Sequence, residues 1–235
     1  MKHIIPKIKD WFPELVGLTR MHIVKKTPSH YLGYVLDSKV PVVMITGIFN
    51  RWAFYKPLLD QISLKGHPVY VVHTLGDNIK DIPSSAKIVK DFIEKNNLAN
   101  VVLVSHSKGG LIGKYLLQHL NSENRVMKLI AIAAPFSGSN LVKLLPLKRI
   151  NEFSPDSEII KELNSYTKVN KKIISIIPSF DVMIRHDKGS YLEGAKNINV
   201  KAGGHNRVAN NNEAISVVIN ELEDISRQLG KPSSA

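Results

Sequence analysis

Cysteine is absent from this chain of 235 residues. Its absence excludes disulfides, thiolate metal sites and a cysteine nucleophile, and suits a reducing compartment. Long apolar runs are missing too: no segment approaches a membrane span, and the opening M-K-H-I-I-P-K-I-K-D-W-F holds no apolar stretch of signal-peptide length. A cytoplasmic protein is the plain expectation. Acidic residues are scarce beside basic ones, 20 Asp and Glu against 32 Lys and Arg, for a formal net charge of +12. Such an excess fits nucleic acid, an anionic membrane surface or solubility alone. The lysines are scattered and no nucleic-acid motif surrounds them, so nucleic acid is not an expected partner. No internal repeat or low-complexity segment interrupts the chain.

What is present is ordinary for a globular protein, with 43% hydrophobic and 22% charged residues. The length suits one large α/β domain with a proper core and is too short for two comfortable ones. Strand and helix patterns alternate. Val40 to Thr46 reads as a buried strand whose paired part starts near Val42, because Pro41 cannot donate to a ladder. Trp52, Tyr55, Leu58, Leu59 and Ile62 then mark a helix, Val69 to Val72 a strand and Ile82 to Asn97 a helix. Further strands are read at Val101 to Val104, Met127 to Pro135, Ile173 to Ile177 and Ile198 to Val200, and a closing helix at Glu213 to Gln228. This alternation predicts a mostly parallel central sheet with helices on both faces. A weak strand signal lies within residues 21 to 38, around Tyr31, Tyr34 and Val35.

The stretch V-V-L-V-S-H-S-K-G-G-L-I-G, Val101 to Gly113, organises the rest. A short aliphatic strand is followed almost at once by helical spacing through Leu111, Ile112, Tyr115 and Leu116, so the chain reverses within Ser105 to Gly109 with Ser107 at the apex. Ser105 and Gly109 are small enough for so tight a turn. The pattern is that of the nucleophile elbow G-x-S-x-G, with serine in the first glycine position. A helix N-terminus there favours developing negative charge. The plainer alternative is that Ser107 only caps the helix. A phosphate loop fits worse, since Lys108 stands where a Walker glycine is needed and Tyr115 where Ser or Thr is needed.

Two other strand ends carry complementary chemistry. Asp181 follows the strand at Ile173 to Ile177, and His205 follows the one at Ile198 to Val200, so both emerge at the edge where Ser107 lies. The order Ser107, Asp181, His205 is that of a nucleophile, acid and base set on such a sheet. Histidine would take the serine proton, and aspartate would orient the imidazole. Asp187 and His186 compete as acid and base, but do not directly follow a strand. Gly47 ends the first strand and frees the Ile48 N–H as one oxyanion donor, with Lys108 N–H as the second. Phe49, Trp52 and Leu144 are candidates to line a substrate pocket, although such residues are more often core. His106 reads as a packed polar residue pointing away from the site, and the Lys108 side chain as solvated.

The chain resembles small bacterial lipases and related esterases of the α/β-hydrolase superfamily. The resemblance runs from Val40 to Leu222 and is strongest at T-G-I near Gly47, H-S-K-G-G at Ser107, A-A-P-F-S-G-S at Ala133 to Ser139, F-D-V-M-I at Asp181 and G-G-H at His205. It implies an α/β-hydrolase fold; from length and composition, one domain is expected over residues 1–229, followed by a polar, disordered tail at 230–235. It also implies hydrolysis of lipid or other acyl esters through an acyl-serine, without metal or organic cofactor. A thioesterase, an acyltransferase or a non-catalytic binding protein on the same scaffold are the alternatives. Thr46 departs from relatives that carry histidine before the oxyanion glycine. Residues 136–172 are longer than a crossover needs, and read equally as a cap over the site or as a crossover helix with a long lead-in loop. The stripe Ile4, Ile5, Ile8, Trp11, Phe12 and Leu15 suits packing on its own domain, with peripheral contact to an anionic membrane as the alternative. Oligomeric state is not legible.

Overall fold

The computed structural model describes residues 12–139, 148–184 and 189–230. Six strands form one wholly parallel sheet: β1 (Val42–Ile45), β2 (Val69–Val71), β3 (Val101–His106), β4 (Val126–Ile132), β5 (Ile173–Phe180) and β6 (Lys196–Gly203), in spatial order β2-β1-β3-β4-β5-β6. Ile45 pairs with Ser105, and Ser105 in turn with Ala131, so the C-terminal ends of the central strands lie level.

Largely apolar runs form the central strands β1 and β3, every residue of which is buried because both faces of the sheet are covered there, whereas the edge strand β6 is more polar and partly exposed. Val42 and Met44 face a core shared with α1 (Phe12–Ile23), α3 (Lys56–Leu64) and α7 (Asn212–Leu229). Val43 and Ile45 face the opposite core, built with α4 (Ile82–Lys95), α5 (Lys108–Tyr115) and α6 (Glu158–Ser165). Local chemistry sets the helix starts. The Asp81 side chain accepts the Ser84 N–H ahead of α4, and Asn211 accepts that of Glu213 ahead of α7.

Three readings of the sequence need correction or completion. Residues 21–38 contain no strand: they hold the end of α1 and a single helical turn, α2 (His30–Gly33). Only Tyr31 of the three candidates is buried, with its hydroxyl donating to Asp60 at 3.0 Å, while Tyr34 and Val35 are exposed, so no alternating face exists. β5 and β6 run several residues beyond their predicted ends. In the long segment before β5, α6 buries Ile160 and Leu163 in the core it shares with α5. Residues 140–147, which include Leu144, lie outside the described residues, as do Ile4, Ile5, Ile8 and Trp11 of the N-terminal stripe, His186 and Asp187, and the tail beyond 230. Among the described residues no helix is long and apolar enough to cross a membrane.

The backbones of α5 and β1 lie close together. A Cβ on Gly109 would lie 2.4 Å from the Ile45 carbonyl oxygen and 3.0 Å from that of Thr46. Backbone cannot yield as a side chain does, so even one methyl group must push the helix off the sheet. Gly109→Ala is therefore expected to lower stability by about 2 kcal/mol or more in urea titration, against less than about 1 kcal/mol for Gly33→Ala, where a Cβ meets nothing within 4 Å.

Candidate active site

Ser107 sits between β3 and α5 with φ 52° and ψ −122°, a conformation that non-glycine residues rarely adopt. It occupies the N-cap position, yet its side chain makes no capping bond. Its hydroxyl donates instead to His205 Nε2 at 2.8 Å, and His205 Nδ1–H donates to Asp181 Oδ2 at 2.8 Å. Asp181 Oδ1 accepts the N–H groups of Met183 at 2.8 Å and Ile184 at 3.1 Å, which leaves the carboxylate no freedom to rotate. The two loops are also joined directly, the Gly204 N–H donating to the Phe180 carbonyl at 2.7 Å. His205 and Asp181 side chains are 13% and 5% exposed, so water has little access to the acid and some to the base.

Gly47 is held against this group by contact distance. A Cβ there would stand 2.9 Å from His106 Nδ1 and 3.3 Å from both the Ser107 Cβ and the Tyr55 hydroxyl. The turn that follows carries the Ile48 amide, which makes no backbone hydrogen bond among the described residues. The Lys108 amide, first in α5, has no intrahelical partner by position.

His106 is a packed polar residue, and both of its ring nitrogens have partners. It is fully buried, and its Nε2 lies 2.8 Å from the His205 carbonyl oxygen while its Nδ1 lies 2.9 Å from the Tyr55 hydroxyl. Burial first, and neighbouring His205 second, push its pKa down to about 3, so the ring is neutral at ordinary pH. A carbonyl only accepts, hence Nε2 carries the proton and Nδ1 accepts from Tyr55. The Tyr55 oxygen in turn accepts the Gly47 N–H at 3.0 Å. One unbroken run of hydrogen bonds thus ties the Gly47 turn, the Ser107 turn and the His205 loop together. Tyr55 was legible only as part of an apolar helix stripe, since nothing in the sequence separates a core tyrosine from a bridging one.

The Lys108 side chain is not solvated. It is buried, with Nζ 2.7 Å from Glu152 Oε1. Among the pocket candidates, Trp52 is 5% exposed and lines a cavity of about 200 Å³ with Met21, Val24, Met44, Thr46 and Val71. Phe49 does not line it. It stands half exposed at φ 60°, its N–H donating to the Asp77 carbonyl. Asp77 also holds Arg51 at the cavity rim through two hydrogen bonds, 2.7 and 3.3 Å long. No group of His, Asp and Glu among the described residues has the arrangement of a metal site.

No protein-family model matches the chain. "Putative esterase/lipase 3" of Mycoplasma pneumoniae is 42% identical over 64 residues, which is 27% of this chain and 23% of that protein. "Putative esterase/lipase 1" of Mycoplasma genitalium is 30% identical over 112 residues, 47% of this chain and 37% of that protein. The matched part therefore spans well under half of these relatives. Among solved structures, the Bacillus licheniformis lipase BlEst2 matches with a TM-score of 0.63 at 16% identity, covering 81% of this chain and 95% of that one. Aspergillus fumigatus lipase B matches at 0.64 and 16% identity, covering 84% and 55%. An extracellular α/β-hydrolase from a Paenibacillus species matches at 0.53 and 14%, covering 77% and 97%. The chain has the α/β-hydrolase fold.

The neutral His106 has a consequence for stability. Its folded pKa lies below the ordinary histidine value of 6.5, so the unfolded chain binds more protons between about pH 6.5 and 3. Stability is full above that window and is lost as pH falls through it. From pH 7.5 to 5, the wild type is expected to lose on the order of 2 kcal/mol more unfolding free energy than His106→Gln, read from urea titrations at both pH values. Equal losses in the two proteins would mean that His106 is not held neutral.

Proposed function

We propose that this chain is a serine hydrolase that cleaves carboxylic esters through an acyl-serine at Ser107. The observation that carries this reading is the strained serine hydrogen-bonded to His205, itself hydrogen-bonded to Asp181, both at 2.8 Å. The α/β-hydrolase fold and the esterase/lipase names of the partial relatives support it.

In this reading Ser107 Oγ attacks the ester carbonyl carbon while its proton passes to His205 Nε2. Asp181 stays ionised, fixes the imidazole tautomer and stabilises the imidazolium. The carbonyl oxygen becomes an oxyanion facing the Ile48 and Lys108 amides at the N-terminus of α5. Collapse breaks the bond to the alkoxy oxygen, which leaves as alcohol with the proton from His205. Water then gives up a proton to His205 and attacks the acyl-serine, releasing the carboxylic acid and restoring the Ser107 hydroxyl. No metal or organic cofactor is called for.

The acyl group is assigned to the cavity beside Trp52. Thr46 lines that cavity, and the next residue, Gly47, is the one where an added Cβ would stand 3.3 Å from the Ser107 Cβ. Met21, Val24, Met44, Trp52, Val71 and Val72 give the cavity an apolar lining, with Lys25, Arg51 and His73 also at its wall. At about 200 Å³ it is only somewhat larger than the ~150 Å³ cavities that hold a benzene, which suits a short acyl chain. Phe180, Val182 and Met183, each about half exposed around the acid loop, offer further apolar contact for a lipid ester.

Hydrolysis of p-nitrophenyl esters from acetate to palmitate is the test. Turnover is expected to peak between butyrate and octanoate, and Ser107→Ala to reduce kcat by at least about a thousandfold. Turnover unaffected by that substitution would sink the assignment of the nucleophile, and a chain inert to esters but active on acyl thioesters would move the substrate class. Val71→Phe, which fills the cavity, is expected to raise KM for octanoate about tenfold or more while acetate is hydrolysed as before. An unchanged chain-length profile would place the acyl group elsewhere.

A further inference from the structure

Beside the reacting groups lies a buried ion pair that the proposed reaction does not use. Lys108 Nζ is 2.7 Å from Glu152 Oε1, with the lysine side chain wholly buried and the glutamate 16% exposed. The same ammonium donates to the Lys80 carbonyl and stands 5.5 Å from the Phe153 ring centroid. Glu152 Oε2 accepts the Ile82 N–H at 3.0 Å, and the Glu152 carbonyl accepts the Ser157 hydroxyl at 2.8 Å. Three segments distant in sequence thus converge on one side chain: the turn before α4, the 3₁₀ turn Lys148–Phe153 and the first residue of α5.

The connection continues to the acid loop. The Phe153 carbonyl accepts the Ser139 N–H at 2.7 Å, and the Ser139 hydroxyl donates to the Met183 carbonyl at 2.5 Å. Met183 N–H is one of the two donors that hold Asp181. A path of adjoining contacts therefore runs from Lys108 through Glu152, Phe153 and Ser139 to the residue that orients His205. Two charges taken out of water are costly unless well paired, so a buried pair at this place is not explained by stability alone.

We propose that Lys108 and Glu152 are positioning residues: their ion pair clamps the segment before α6 onto the start of α5, and thereby aligns the Lys108 amide with the acid loop. This rests on the ester-hydrolase reading, in which that amide faces the oxyanion. The clamp acts on groups that matter most when charge develops on the carbonyl oxygen, so its loss falls on the chemical step and little on binding.

The experiment measures kcat and KM for p-nitrophenyl butyrate with the wild type, Lys108→Met, Glu152→Gln and the double variant. Glutamine keeps an oxygen for the Ile82 N–H. The double variant leaves no buried charge unpaired, so it remains informative if a single variant fails to fold. About tenfold or more is expected to be lost from kcat in each folded variant, with KM changed less than about threefold, because full loss of one oxyanion donor costs roughly a hundredfold to a thousandfold. Where both single variants fold, the double variant is expected to lose no more than the worse single one, since the two residues act as one unit. Wild-type kcat in the folded double variant overturns the inference, as does a rise in KM at constant kcat. Wild-type protein that neither hydrolyses esters nor labels at Ser107 with a fluorophosphonate overturns the hydrolase reading, and this inference with it.

Discussion

A neutral imidazole buried at the centre of the sheet edge holds the site together. His106 joins the carbonyl of His205 on one side to the Tyr55 hydroxyl on the other, and Tyr55 binds the Gly47 amide. Each of these polar groups is removed from water, so each needs its partner, and the set has only one arrangement in which all are satisfied. The loop that presents His205, the turn that carries Ser107 and the turn after β1 are placed relative to one another by this requirement. The distances of 2.8 Å from Ser107 to His205 and from His205 to Asp181 depend on it.

The sheet supplies the rigid frame. Strands buried on both faces cannot slide without moving side chains out of one core and into the other, so the level C-terminal ends of β1, β3 and β4 are strongly specified. The strained turn at Ser107 is held by this frame. The Ser107 N–H donates to the Ile132 carbonyl and the Gly110 N–H to the Ser107 carbonyl, both at 2.9 Å. Gly109 lets α5 lie on the Ile45 carbonyl. Backbone strain of this kind persists only where its surroundings over-determine it.

Charge plays two different parts in the molecule. A few of the lysines pair nearer the surface, as in Lys87 with Asp91 or Lys90 with Glu94, and such pairs contribute little to stability. Lys108 belongs to a different class, since its pair with Glu152 is enclosed beside the serine and adds a polar link between segments that the core of α4, α5 and α6 also joins. A net charge of +12 says nothing about that distinction. Local composition cannot tell a solvated lysine from a buried one when the helix around it is glycine-rich and otherwise apolar.

All six strands of the sheet, the serine at the apex of a tight turn, and the placement of Asp181 and His205 past strand ends were legible in the sequence. Hydrophobic periodicity and small residues at a turn are local properties, and a chain reports them directly. The strand expected within residues 21–38 failed for a related reason: scattered aromatic residues without alternation carry no periodic signal, and one buried tyrosine at position 31 was enough to settle a helical turn there. Tertiary structure alone decided which polar groups meet. His106 and the His205 carbonyl are 99 residues apart, and Lys108 and the Lys80 carbonyl 28. Their pairing follows from how strands stack and helices dock, and from the cost of leaving any buried donor or acceptor without a partner.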